Sequence, residues 1–138
     1  MTFTRAPAAI VVDASVAVEF LGDNPAWVAR WSDWAEADAM LLAPAHFGAE
    51  TANALMRSKR LGAVATAARI DRLFASGVEL ADRGLSGLLD AIELAEQHGL
   101  TVYDALYLQL ALDVEGELAT LDADLRRAAV AEDLSVVS

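Results

Sequence analysis

The chain is 138 residues long, 56% hydrophobic and free of cysteine, a length that fits one domain over 1–138. The missing cysteine excludes a disulfide framework, a thiolate metal site and a cysteine nucleophile, and no apolar run reaches the ~18 residues that a membrane span requires. Ten Lys and Arg against 21 Asp and Glu give a formal charge of −11, which repels nucleic acid at long range unless the carboxylates converge on a cation-binding pocket and basic groups are gathered locally.

Arg5 and the tract from Pro7 to Val12 imitate a short secretory segment until Asp13 and Glu19 interrupt it, so the tract reads as a buried strand of a cytoplasmic protein. Ala9 to Val12 is that strand, turning into a helix through Asp13-Ala14-Ser15 ahead of Val16, Val18, Phe20 and Leu21. Asn24-Pro25 supplies an N-cap and a first-turn proline for a helix carrying Trp27, Trp31 and Trp34. Met40 to Ala43 is a second strand, stopped by Pro44. A long helix is predicted from Ala45 to Leu61, with Arg57, Lys59 and Arg60 complementing its dipole and Gly62 as its stop.

Ala63 to Ala75 is a further helix, Val78 to Leu80 a third strand, and Ser86 to His98 a helix closed by a left-handed Gly99. Thr101 and Asp104 stand at capping-box spacing ahead of Leu106, Leu108 and Leu110. Glu117 to Leu121 gives a fourth strand, Ala123 to Ala131 a helix, and Leu134 to Val137 a closing strand. Strands alternating with helices imply parallel crossovers, hence a parallel sheet covered by helices.

Four acids sit where a carboxylate is costly unless it has a task. Asp13 ends the first strand, Glu50 lies beside Phe47, Ala54 and Leu55 in a helix, Asp104 begins an apolar helix, and Asp122 follows the fourth strand. Ligands of open parallel sheets bind outside the carboxyl ends of the strands, where these segments can meet. Crowded carboxylates raise one another's pKa unless a cation neutralises them, and an all-oxygen donor set favours Mg2+, with Mn2+ as substitute, over Zn2+. Each acid also has a plainer reading: Asp13 and Asp122 as helix caps, Asp104 as the reciprocal partner of Thr101, Glu50 as a half-exposed helix acid.

The stretches Val11-Val12-Asp13-Ala14-Ser15, Glu50-Thr51-Ala52-Asn53-Ala54-Leu55, Thr101-Val102-Tyr103-Asp104-Ala105-Leu106-Tyr107 and Ala119-Thr120-Leu121-Asp122 together resemble the PIN-domain proteins, and more narrowly the VapC toxins of bacterial toxin–antitoxin pairs. The resemblance implies a three-layer α/β/α sandwich and a Mg2+-dependent endoribonuclease acting on structured RNA such as tRNA or rRNA. It makes Asp13, Glu50, Asp104 and Asp122 the metal-binding and catalytic acids, with Ser15, Asn53, Thr120 and Asp124 in support. It also implies a homodimer and a cognate antitoxin that lays a basic side chain in the acidic crevice.

The tryptophan face reads as core packing with a share left for the antitoxin, so that Trp31→Ala is expected to weaken the complex and spare the fold. Arg57, Lys59, Arg60, Arg126 and Arg127 are candidate phosphate contacts or helix-end charges. His46, one turn before Glu50, is read as a surface or capping histidine rather than a base, and no side chain is assigned as base.

Competing classes fit less well. A phosphoryl-accepting receiver needs a lysine at the site, and the one lysine, Lys59, lies at the far end of a helix. An aspartyl phosphatase needs a second acid where Ser15 stands. A catalytically silent PIN-like module and a solitary nuclease without antitoxin are the remaining alternatives.

Overall fold

A computed structural model describes residues 8–138; Arg5 and Pro7 of the amino-terminal reading lie outside them. Strand β1 (Ala9–Val12) is apolar without alternation at Ile10, Val11 and Val12, all fully buried, because helices cover both of its faces. It lies at the centre of a parallel sheet with β2 (Met40–Ala43), β3 (Glu79–Leu80), β4 (Glu117–Ala119) and β5 (Val136–Val137), in the order β3-β2-β1-β4-β5.

The helices are α1 (Ala14–Leu21), α2 (Pro25–Glu36), α3 (Phe47–Arg57), α4 (Ala63–Ala75), α5 (Leu85–His98), α6 (Val102–Val114) and α7 (Ala123–Ala131). The chain crosses the sheet one way from β1 to β3 and back from β3 to β5, so right-handed crossovers place α1–α4 on one face and α5–α7 on the other. The packing agrees: α1 touches α2, α3 and α4, whereas α6 touches α5 and α7. The result is a three-layer α/β/α sandwich. Its direction of winding reverses between β1 and β4, opening a crevice at their carboxyl ends.

Several boundaries depart from the sequence expectation. The helix expected over Ala45–Leu61 occupies only Phe47–Arg57, because the chain turns back at Arg60 (φ 57°) to return Leu61 to the core. Gly62 is therefore not its stop but the N-cap residue of α4, in extended conformation. Strand β4 ends at Ala119 rather than Leu121, since the next N–H groups are drawn to β5 and to a serine hydroxyl. Val78 is buried but lies ahead of β3, and β5 is two residues long.

Gly99 takes the expected left-handed conformation (φ 66°). Gly116 is required for another reason: a Cβ there would come within 2.5 Å of the Ala9 carbonyl oxygen, where α6 turns into β4 against β1. Trp27 and Trp31 are buried, and Trp31 stacks on Phe20 at 4.3 Å while its indole N–H donates to Ser76 Oγ at 3.1 Å. The tryptophan face packs into the core, so Trp31→Ala is expected to cost stability rather than to spare the fold.

Candidate active site

Asp13 is the N-cap residue of α1 and stands where β1 ends, only 4% exposed. Its Oδ1 accepts from Ser15 Oγ at 2.5 Å and from the Val16 N–H at 3.1 Å. Its Oδ2 accepts from the Thr120 hydroxyl, which reaches it from the end of β4. Both hydroxyls also serve as acceptors, Ser15 Oγ from the Leu121 N–H at 2.9 Å and Thr120 Oγ1 from the Asp122 N–H at 3.0 Å. The two chain segments that border the crevice are therefore tied through one carboxylate.

Burial holds the Asp13 carboxyl above the usual range, Ser15, Thr120 and Val16 pull the other way by hydrogen bonding the carboxylate, and the Glu50 charge adds to the rise.

Asp122 is the N-cap of α7, accepting from the Leu125 N–H at 2.9 Å. Asp104 stands in the first turn of α6, where Thr101 Oγ1 accepts its N–H at 3.1 Å. Its carboxyl is pushed up to about 6, first by burial and then by the charges of Asp122, Glu50 and Asp13. Glu50 lies in the first turn of α3, and its Oε1 accepts from the Tyr107 hydroxyl at 3.0 Å. Acids from both helical layers and from the ends of β1 and β4 thus share one electrostatic environment. Among the described residues, however, no three carboxylate or histidine side chains converge as a ready-made cation cage.

The other expected residues separate into two groups. Ser15 and Thr120 are bonded to Asp13. Asn53 is exposed on α3, and Asp124 is exposed in the first turn of α7, 3.6 Å from Arg127. His46 occupies the N-cap position of α3 without capping it by its side chain. Its ring packs against Tyr103 and Tyr107, and Nε2 is buried without a hydrogen-bond partner, 3.9 Å from Glu50 Oε2. His98 pairs with Glu132 at 2.8 Å. Arg57, Lys59, Arg60 and Arg126 are exposed and form no ion pair among the described residues.

Sequence reasoning missed Tyr107. Burial and the neighbouring Glu50 charge raise its phenol well above the ordinary value, so it stays a donor at every accessible pH. Its signal was available, a tyrosine on the buried face of an apolar helix one turn after Asp104, where a phenol needs a partner.

The PIN-domain family model matches residues 10–131 of the chain. The chain belongs to the PIN-domain family. This PIN domain is 38% identical over 133 residues to the proteins named Ribonuclease VapC3 from two strains of Mycobacterium tuberculosis, CDC 1551 / Oshkosh and H37Rv, covering 91% of the chain and 90% of each relative. Among solved structures, PAE2754 from Pyrobaculum aerophilum matches at TM-score 0.66 and 25% identity, over 89% of this PIN domain and 87% of that chain. VapBC2 from Rickettsia felis, bound to a DNA fragment from their promoter, matches at TM-score 0.70 and 18% identity over 94% and 97%, a likeness of fold.

Proposed function

We propose that this PIN domain is a divalent-cation-dependent endoribonuclease and the toxin of a toxin–antitoxin pair. The observation that carries the reading is that the charges of Asp122, Glu50 and Asp13 all act on the Asp104 carboxyl, and that of Glu50 on Asp13, where β1 and β4 are tied through Asp13 and Thr120. The relatives named Ribonuclease VapC3 supply the reaction class.

The donor set fits a hard cation, because every candidate ligand is an oxygen, and a cation would offset the charges of Asp122, Glu50 and Asp13 that add to the effect of burial on Asp104. Asp13, Glu50, Asp104 and Asp122 would hold it. When bound, such an ion polarises a phosphodiester and activates water for in-line attack.

The chain's own contribution is placement. Ser15 and Thr120 fix the orientation of the Asp13 carboxylate, Tyr107 fixes Glu50, and the helix cap fixes Asp122. Asp104 is positioned through its backbone, where Thr101 Oγ1 accepts its N–H.

The test is cleavage of end-labelled tRNA and rRNA by the purified chain with Mg2+, with Mn2+ and with excess chelator. The expected products carry 5′-phosphate and 3′-hydroxyl ends, and both chelator and Asp104→Asn abolish them. Cleavage that survives either treatment overturns the mechanism. The antitoxin reading is tested by co-expression with the adjacent small reading frame, which is expected to silence the activity. Leu85, Leu88, Leu89 and Ile92 recur on one face of α5 and stay exposed, which supports a homodimer through that face. A monomer mass in sedimentation at micromolar concentration removes the dimer.

A further inference from the structure

We propose that the groove beside β4 and α7 binds an unpaired nucleotide next to the scissile bond, a reading that rests on the ribonuclease function proposed above. The groove, about 530 Å³, is lined by Thr120, Leu121, Ala123, Arg126, Arg127 and Val130, together with Ser138. Thr120 belongs to both places: it lines the groove and its hydroxyl donates to Asp13, so a single buried residue separates the groove from the acid cluster.

Its chemistry runs against that of the chain. Three other cavities among the described residues carry Asp82 and Asp113, Glu115, Glu117 and Asp133, or Glu93 and Glu96. This one is lined by two guanidiniums and no carboxylate side chain, in a protein of charge −11. The arginines differ in availability. Arg127 donates to the His98 carbonyl at 3.2 Å and stands near Asp124, so it ties α7 to the end of α5. Arg126 forms no ion pair among the described residues and lies four residues after Asp122, about one turn along α7 and about 6 Å of rise.

Apolar surface completes the groove. Leu121 is 46% exposed and Val130 is 59% exposed. The exposure of Leu121 is built in, because Ser15 Oγ holds its N–H and thereby takes the chain out of the sheet. A cation beside two aliphatic side chains matches a phosphate and the face of an unstacked base, the way single-stranded RNA is recognised. A base-paired strand presents no free face to Leu121.

The probe is a fluorescent oligouridine, bound to the full chain in excess chelator and read by anisotropy across a salt series. Arg126→Ala is expected to weaken binding about three- to tenfold and to flatten the salt dependence by about 0.7, one phosphate contact on a single strand. Leu121→Ala is expected to weaken it with the slope unchanged, and to leave binding of duplex RNA as it was. Both side chains are exposed, and unchanged melting temperatures check that the variants fold. If both variants bind oligouridine like the parent while the parent cleaves RNA with Mg2+, the groove proposal is overturned and the ribonuclease reading stands. If both lose binding while the parent cleaves nothing, the groove stands as a single-strand site, and the ribonuclease reading falls together with the scissile bond placed beside the groove. Arg126-dependent capture of polyglutamate without capture of oligouridine overturns the proposal in favour of an acidic protein segment.

Discussion

The Tyr107 hydroxyl donates to Glu50 Oε1 at 3.0 Å from a ring that has no exposed surface. Tyr107 belongs to α6 and Glu50 to α3, so one hydrogen bond joins the two helical layers over the carboxyl rim of the sheet. Tyr107→Phe keeps the buried ring and removes only the donor. Glu50 is partly exposed and can rehydrate, so the expected loss of stability is about 1 kcal/mol. Cleavage is expected to fall about tenfold, a barrier change of about 1.4 kcal/mol, because a freed Glu50 samples other rotamers. Rates and thermal unfolding measured side by side check this, and an unchanged rate shows that Glu50 needs no anchor.

Thr120 Oγ1 stands between Asp13 Oδ2, to which it donates, and the Asp122 N–H, from which it accepts. Thr120→Val keeps the shape and removes both bonds within a fully buried site. An unpaired buried polar group costs about 1–3 kcal/mol, and the loss should appear in urea denaturation as a lower midpoint with the slope unchanged. Thr120→Ser restores the hydroxyl and should recover most of it. Equal midpoints for valine and threonine would remove the hydroxyl bridge as a determinant of the site.

Trp31 fills the space between α2 and Phe20 and donates to Ser76. Trp31→Ala leaves a large cavity and removes the indole donor to Ser76, whose hydroxyl keeps its bond to the Leu73 carbonyl, with an expected cost of about 3–5 kcal/mol. Differential scanning calorimetry measures it directly. A melting temperature close to that of the parent would return the tryptophan face to the role of a partner surface.

What the sequence made legible was periodicity and capping. Unbroken apolar runs marked β1 and β2, Asn24-Pro25 marked the start of α2, and Gly99 marked the end of α5. What stayed hidden depends on contacts remote in the chain. Arg60 rather than Gly62 takes the left-handed turn because Leu61 has a place in the core, which no local preference for glycine encodes. Leu121 reads as strand until the Ser15 hydroxyl, 106 residues away, claims its N–H. At Asp13 the capping reading and the position beside other acids coincide, because its carboxylate caps α1 while the Glu50 charge acts on it.

Asp104 and Asp13 should respond in opposite ways to loss of charge, although both carboxyls are raised. Asp104 goes from 3.8 to about 6, so between those values the folded chain holds a proton that the unfolded chain releases. The stability this group contributes is therefore complete below about pH 4 and lost as pH rises through about 6. Without divalent cation, Asp104→Asn should be more stable than the parent at pH 7.5, and the difference should vanish towards pH 4. Mg2+ should raise the melting temperature of the parent at pH 7.5 more than that of Asp104→Asn. Asp13 accepts three hydrogen bonds in a nearly closed site, and an amide there points a donor at a hydroxyl whose proton is already directed inward. Asp13→Asn should consequently melt below the parent at both pH values, so that its inactivity mixes lost chemistry with lost fold, whereas Asp104→Asn separates them. An Asp13→Asn variant that melts at or above the parent would show that the amide takes over the carboxylate's bonds to Ser15, Val16 and Thr120 without loss.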